Sequence, residues 1–254
     1  MINFFRRIRK QLANDNKPLK YMRYAIGEIF LVVIGILLAL QLNTWNENQR
    51  ARADEKNLLE NLSEDLKAAG AQSQNFIIRE ELLIDKLIRA MGIHPDGQAP
   101  PPEFYKDSSM IEMIWEFETN VPVVNSYAEI KNTGKTSLIR SREIRQKFTN
   151  LELSINALNN LVKDRLFVQQ LRIDNIAAED INLVRFANDP ANKLHVDLEH
   201  EPRNDYRAVF KSQKVRNLLA MKLLLTKDVL RFRNELQNEI ELIVALIEEE
   251  LQDF

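Results

Sequence analysis

Cysteine is absent from this chain of 254 residues, and glycine and proline are scarce, with six and eight copies. Without cysteine the protein has no disulfide framework and no thiolate-based zinc site. The sequence also contains no P-loop, no G-x-G-x-x-G fingerprint, no H-E-x-x-H pair and no G-x-S-x-G nucleophile motif. It therefore predicts no catalytic residue and no cofactor, and we expect a protein that is not an enzyme.

Histidine is equally scarce, with three copies, and only His195 and His200 lie near each other in the chain. Metal-binding pairs on a helix are three or four residues apart, whereas these two are five apart in a segment that we expect to be a loop. The sequence therefore predicts a solvated polar loop at 187–204 and no metal site.

Charge is distributed very unevenly along the chain, although the formal net charge is only −2. Residues 1–23 carry seven basic side chains and one acidic one, which gives +6, while the remainder has 28 basic and 36 acidic residues, which gives −8. The basic residues of the first segment are Arg6, Arg7, Arg9, Lys10, Lys17, Lys20 and Arg23. This asymmetry predicts that the two parts of the chain lie in different surroundings.

One apolar segment separates these two parts. The run from Ile29 to Leu40 is uncharged, and aromatic side chains flank it at Tyr21, Tyr24 and Trp45. A helix over residues 24–45 would rise roughly 31 Å, about the thickness of the hydrocarbon core of a bilayer. Aromatic rings at both ends suit the headgroup level. The segment therefore predicts a transmembrane helix over residues 24–45.

A buried core helix and a cleaved signal peptide contain similar apolar runs. A core helix does not account for seven basic residues on one side, and Ala39-Leu40-Gln41 offers no good cleavage site. Because segments rich in Lys and Arg stay in the cytoplasm, we expect residues 1–23 inside the cell and residues 46–254 outside. No second stretch reaches membrane length, so the prediction is a single-pass protein.

The basic tail has a periodicity of its own, since Ile2, Phe5, Ile8 and Leu12 recur every three or four residues. This pattern is typical of an amphipathic helix that lies at the membrane surface and contacts anionic lipids. The alternative is an unordered topology signal. Nucleic-acid binding is a poor explanation, because the patch is short and directly precedes the apolar segment.

Two stretches of the amino-terminal region, FFRRIRKQL at 4–12 and YAIGEIFLVVIGILLALQLNTWNE at 24–47, carry a family resemblance. They resemble the signature of an uncharacterised bacterial family, a domain of unknown function with one membrane helix and a helical extracytoplasmic region. A weaker echo lies at 126–148. The resemblance implies a bacterial inner-membrane protein with a periplasmic carboxyl-terminal domain, and it carries no activity, ligand or catalytic residue.

Glu28 is the one carboxylate within the predicted membrane helix. It shares a helical face with Gly35 and Ala39, and a small-xxx-small pair lets a second helix approach closely. One hypothesis is therefore a homo-oligomer, or an ion-coupled complex of single-span subunits, with Glu28 at the helix interface. The simpler interpretation is that Glu28 lies near the membrane surface, where it snorkels or pairs with a neighbouring residue.

The outer region reads as long helices, because neither glycine nor proline occurs in Lys135–Asp189 or in Arg203–Phe254. The first helix is predicted to continue from the membrane segment to about Met91. Its apolar stripe has coiled-coil-like steps of three and four residues, with Glu80 as the odd member. The stripe consists of Leu59, Leu62, Leu66, Ala69, Ser73, Phe76, Leu83 and Leu87.

Polar residues predict where the other helices begin. Ser109-x-x-Glu112 and Ser126-x-x-Glu129 read as capping boxes of two short helices. Ser141 is predicted to cap a long helix that reaches about Ala178, and the last helix is predicted to begin near Asp205 or Ser212. Together these elements predict an all-α fold, in which an antiparallel bundle of long helices follows the membrane helix.

Two classes of function fit this organisation, and an enzyme comes third. The first is a membrane-anchored interaction or scaffold module that docks an envelope protein. The second is a small-molecule sensor bundle, which would need a separate membrane partner because only 23 residues are predicted inside the cell. Sensors of this kind usually pass their signal to a cytoplasmic output domain, and 23 residues are too few to form one. We therefore favour the interaction module.

Overall fold

The computed structural model describes residues 18–186 and 197–254. Within these ranges the regular structure is helical and no residue is in a strand, so the predicted all-α fold is confirmed. The chain divides into two compact units, Met1–Lys56 and Asn57–Phe254. Helix α1, Pro18–Ala90, begins in the first unit and ends in the second.

The first unit contains the apolar part of α1. Its large apolar side chains from Ile26 to Leu42 are exposed, with Leu42 at 66% and Phe30 at 65% of their full accessible area. The most apolar stretch has a mean hydropathy of 2.4, and none of it is buried within the protein. By length and composition, this helix can cross a membrane. Such exposure contrasts with the helices of the second unit, which bury one face.

The second unit holds the rest of α1 and six further α-helices within the described residues. These are α2 (Asp107–Trp115), α3 (Asn125–Asn132), α4 (Arg142–Val168), α5 (Asp174–Glu179), α6 (Tyr206–Val209) and α7 (Gln213–Gln252). A π-helical turn, Gln169–Ile173, joins α4 to α5 without a break. The predicted long helix to about Ala178 is therefore present, with this turn inside it.

Helix α1 ends where the sequence predicts. Gly92 has a φ of 66°, and this left-handed residue lets the N–H groups of Gly92 and Ile93 donate back to the carbonyls of Arg89 and Ile88, both at 3.0 Å. That pair of bonds satisfies carbonyls that the helix end would leave without partners.

The core of the second unit falls into two apolar clusters along the helices. The first cluster joins α1 around Leu62 with α4 around Phe148 and α7 around Ile243. The second joins α1 around Leu87 with α2 and the start of α7. Each fully buried Leu, Ile or Phe contributes about 1.5–3 kcal/mol through the hydrophobic effect. Between the clusters, buried charged side chains occupy the same helical faces.

Both predicted capping boxes are wrong. Helix α2 begins at Asp107, so Ser109 lies inside its first turn and donates weakly to the carbonyl of Glu103 at 3.5 Å. Helix α3 begins at Asn125, and the N–H of Ser126 donates to a carboxylate of another helix, Asp65 Oδ2, at 2.8 Å. The cap of α3 therefore comes from the tertiary fold, which a local motif does not reveal.

The other predicted caps agree with the structure. Ser141 Oγ accepts a hydrogen bond from the N–H of Ile144 at 3.3 Å at the start of α4. Asp205 Oδ1 accepts from the N–H of Ala208 at 3.1 Å and caps the short helix α6. Ser212 directly precedes α7. Both predicted starts of the last helix are therefore real, as two successive helices.

We expect Asp65→Ala to lower the unfolding free energy by about 1 kcal/mol, because the N–H of Ser126 loses its acceptor while it stays partly buried. Denaturant unfolding of the full chain in detergent measures this change. Glu64→Ala is the matched control, since Glu64 is exposed on the same helix. Equal stability of the two variants would show that Asp65 does not cap α3.

Candidate functional site

The most distinctive site of the second unit is a buried ion cluster centred on Glu80. Arg165 donates to both of its carboxylate oxygens, from Nη1 to Oε2 at 2.6 Å and from Nη2 to Oε1 at 2.9 Å. Arg233 adds a bond from Nε to Oε1 at 3.1 Å. All three side chains are at most 2% exposed. One carboxylate of α1 thus bridges α4 and α7 within the core.

Helical periodicity brings these three charges together. Glu80 follows Ser73 by seven residues on the buried face of α1, Arg165 follows Val162 by three on α4, and Arg233 follows Val229 by four on α7. Each position belongs to the face that packs against the other helices. The cluster is therefore built from core positions that carry charged side chains.

The same arginines hold the extended connection between α2 and α3. Arg165 and Arg233 both donate to the backbone carbonyl of Glu118, and Arg233 Nη1 donates to that of Asn120 at 3.0 Å. Because this segment has no ladder or helix to satisfy its carbonyls, buried donors must do so. The Glu118 carboxylate accepts from Arg79 at 2.9 Å and from the N–H of Asn120 at 2.9 Å.

A lysine and a glutamine secure the carboxyl end of α2. Lys222 Nζ donates to the carbonyl of Ile114 at 2.7 Å and to that of Glu116 at 3.2 Å. Gln169, at the start of the π-helical turn, donates to the same Ile114 carbonyl at 2.9 Å. A cation at this end also interacts favourably with the negative end of the helix dipole. The last turn of α2 is therefore capped by side chains of α7 and of the π-helical turn.

The electrostatics of this site are unusual, because three buried cations face two buried carboxylates. Burial, and then the positive charge of Arg165, lower the pKa of Lys222 to about 7. Burial also lowers the pKa of Arg233, against the opposing effect of Glu80. Lys222 therefore titrates near neutral pH, whereas an exposed lysine stays charged.

Aromatic rings complete the cluster. The guanidinium of Arg165 lies 4.9 Å from the ring centroid of Phe117, and the Lys222 ammonium lies 5.5 Å from the same centroid. Arg233 lies 5.1 Å from the ring centroid of Phe76. Such contacts stabilise cations that have left water.

An open cleft with a cavity volume of about 240 Å³ lies beside this cluster. One wall is α1, and the other is the end of α2 with the connection that follows it. The side chains of the α1 wall are Arg79, Leu82, Leu83 and Lys86, and those of the second wall are Glu112, Glu116, Phe117 and Glu118. The cleft thus combines an apolar surface with charges of both signs.

A smaller polar cluster surrounds His94 just after α1. Its Nδ1 lies 2.7 Å from Asp96 and its Nε2 lies 3.1 Å from Asp85, and Arg89 pairs with both carboxylates. Backbone and side-chain hydrogen bonds, led by the N–H of Gln98, lower the pKa of Asp96 to about 2. These contacts close the turn that ends α1. Among the described residues, no group of three potential ligands is arranged to hold a metal ion.

The predicted membrane-interface residues lie on α1 in the first unit. Glu28, Gly35 and Ala39 share one face, since their spacings of seven and eleven residues return to the same side of a helix. A Cβ added at Gly35 would meet no atom within 4 Å, and Trp45 is 63% exposed.

Helix α1 also contains four other residues predicted to lie at the membrane, Tyr21, Tyr24, Lys20 and Arg23. Predictions for Arg6, Arg7, Arg9, Lys10, Lys17 and His195 lie outside the described residues.

The comparisons with known proteins give one match. Residues 28–90 match the model of a family of unknown function (DUF6090). This confirms the resemblance to an uncharacterised family, and the match extends from the apolar segment through Glu80 to the end of α1. Neither the curated proteins nor the solved structures contain a match to the chain.

Proposed function

We propose that this protein is a single-span, membrane-anchored interaction or scaffold module of the bacterial cell envelope. The observation that carries the proposal is the exposure of the apolar part of α1. Twelve large apolar side chains between Ile26 and Leu42 are exposed, and leaving them in water would be strongly unfavourable, at about 25 cal/mol per Å² of apolar surface. Insertion into a bilayer removes that cost. Trp45, with a ring suited to the headgroup level, marks one end of the span.

The charge asymmetry supports one orientation of this anchor. The +6 of residues 1–23 favours their retention in the cytoplasm, which leaves the second unit in the periplasm. Attraction to anionic lipids of the inner leaflet, worth about 1 kcal/mol per basic residue near the surface, stabilises the same orientation.

The contacts of the second unit support a role without catalysis. Arg165, Lys222 and Arg233 each donate to backbone carbonyls, and both arginines also bind Glu80. These strong donors stabilise the connection between α2 and α3. The buried polar groups of the second unit therefore hold its backbone rigid. A rigid surface suits the docking of another protein.

A partner is best sought in native membranes. Photocrosslinking from positions on the exposed bundle surface, followed by identification of the products, is expected to recover an envelope protein reproducibly. Crosslinking from buried positions such as Leu62 supplies the matched control, because these side chains contact only the bundle itself. Recovery of nothing beyond the control products would contradict the docking role.

We further propose that α1 self-associates through the face that carries Glu28, Gly35 and Ala39. Gly35→Leu is expected to weaken self-association of the membrane helix at least tenfold, because the added side chain prevents close approach of a second helix. Energy transfer between labelled chains in lipid vesicles measures this. Gly27→Leu is the matched control, since Gly27 lies on a different face and is equally open. An equal loss of self-association in both variants would contradict a specific interface on the Gly35 face.

A further inference from the structure

The cleft between α1 and the α2–α3 connection has a surface that fits a small ligand. Leu82 is 56% exposed although it is a large apolar residue, and it lies in the cleft with Leu83 and the ring of Phe117. A volume of about 240 Å³ accommodates roughly ten non-hydrogen atoms. Apolar surface left open to water inside a concavity favours a ligand that covers it.

Buried side chains of α4 and α7 hold the backbone of the second wall of this cleft in place. Lys222 holds the carbonyls of Ile114 and Glu116, while Arg165 and Arg233 hold the carbonyl of Glu118. A ligand in the cleft therefore meets a wall that is already ordered. Such preorganisation reduces the entropy lost on binding.

The charges of the cleft distinguish between ligand classes. Two basic and three acidic side chains line it, which gives a formal charge of −1. Lys86 pairs with Glu112 at 2.5 Å, and Arg79 pairs with Glu118 at 2.9 Å. Among the described residues the Glu116 carboxylate forms no hydrogen bond or salt bridge, although its charge acts at longer range on the buried Lys222 ammonium. A single positive charge can therefore pair with Glu116 while both existing ion pairs stay intact.

We propose that this cleft binds a small organic cation. Its ammonium group pairs with Glu116, and its short aliphatic or cyclic body covers Leu82, Leu83 and Phe117. Anions suit the cleft less well, because its formal charge is −1 and both of the cations among its described residues are already paired, Lys86 with Glu112 and Arg79 with Glu118. A zwitterion meets the same obstacle with its carboxylate. The inference concerns the second unit alone and holds whether or not the first unit spans a membrane.

The chain offers a built-in reporter for this site, because Trp115 directly precedes Glu116 and is 40% exposed. Trp45→Phe leaves Trp115 as the sole tryptophan of the full chain, which contains two. Cyclohexylmethylamine, which is cationic at neutral pH and does not absorb where tryptophan does, is the probe. We expect a saturable change in Trp115 fluorescence on titration of the chain in neutral detergent.

Matched ligands and variants make the test decisive. Cyclohexanecarboxylate, with the same ring and the opposite charge, is expected to give no saturable change, and cyclohexylglycine is expected to bind more weakly than the amine. Glu116→Gln is expected to weaken amine binding at least tenfold, and Leu82→Ser several-fold. Glu249→Gln, an exposed acid at the far end of α7, is expected to leave it unchanged. Since both cleft side chains are exposed, thermal unfolding of each variant confirms that it is folded.

Equal responses to the amine and the carboxylate, or an unchanged affinity in Glu116→Gln, would overturn the proposal. Tighter binding of cyclohexylglycine than of the amine would overturn the assignment of a simple cation. A saturable response that depends on both Glu116 and Leu82 would support it.

Discussion

Replacing Glu80 with Gln is expected to lower the unfolding free energy of the bundle by about 3–5 kcal/mol, because two buried arginines lose their shared counter-charge. Arg165 and Arg233 are 2% and 1% exposed, so water cannot replace the carboxylate without opening the core. Denaturant unfolding of the full chain, followed by circular dichroism, measures the change. A loss of this size approaches the whole stability of a marginal domain.

Glu81→Gln is the control for this experiment, since Glu81 is exposed on the same helix and its replacement is expected to change stability by less than about 0.5 kcal/mol. A double-mutant cycle sharpens the test. Arg233→Met should cost less in the Glu80→Gln background than in the natural chain, because the pair is already broken. Strictly additive losses would show that Glu80 and Arg233 do not interact.

Lys222→Met is expected to change how stability depends on pH. The pKa of Lys222 is lowered to about 7 by burial and by Arg165. In the unfolded chain a lysine keeps its proton up to about pH 10.5, so unfolding takes up a proton between these values. The unfolding free energy of the natural chain should therefore rise with pH above 7, by up to about 1.4 kcal/mol per pH unit from this residue.

Unfolding measured between about pH 7 and pH 9.5 tests this effect before most exposed lysines titrate. In Lys222→Met this contribution disappears. The unfolding free energy of the natural chain should therefore increase steadily relative to that of the variant as pH rises. Lys227→Met is the matched control, because Lys227 is exposed on the same helix. Parallel pH profiles for the natural chain and Lys222→Met would contradict the buried, proton-releasing lysine.

The architecture of the second unit follows largely from hydrophobic periodicity. The α1 stripe at Leu59, Leu62 and Leu66 is buried, and the helix ends at Ala90 next to the predicted Met91. These features are predictable because the spacing of apolar residues and the left-handed Gly92 act locally. Caps that depend on another helix, such as Asp65 with Ser126, are beyond a local pattern.

The candidate site was much harder to predict. The sequence marks Glu80 only as the odd member of the α1 stripe, and no local pattern identifies its partners. On α4, Leu166 continues the apolar spacing four residues after Val162, whereas Arg165 is the buried residue at that level. Apolar patterning treats a charged residue as outward-facing, yet a complementary charge on another helix makes burial possible. Three charged residues at core spacing on separate helices were the available signal.

The π-helical turn is also unpredictable from the sequence, for a different reason. It places Gln169 so that its amide donates to both Ile114 and Asp174. One residue inserted into a helical register shifts every later side chain around the helix axis. The sequence contains no glycine or proline there, so nothing local marked the change.

In the proposed topology, one helix anchors the chain in a membrane and the second unit lies outside the cytoplasm. The absence of cysteine permits a direct test, because Asn14→Cys or Asp253→Cys introduces the sole thiol. A membrane-impermeant maleimide applied to intact spheroplasts should label the thiol at 253 at once and the thiol at 14 only after permeabilisation. Labelling of the thiol at 14 in intact spheroplasts, or protection of the thiol at 253 until permeabilisation, would contradict it.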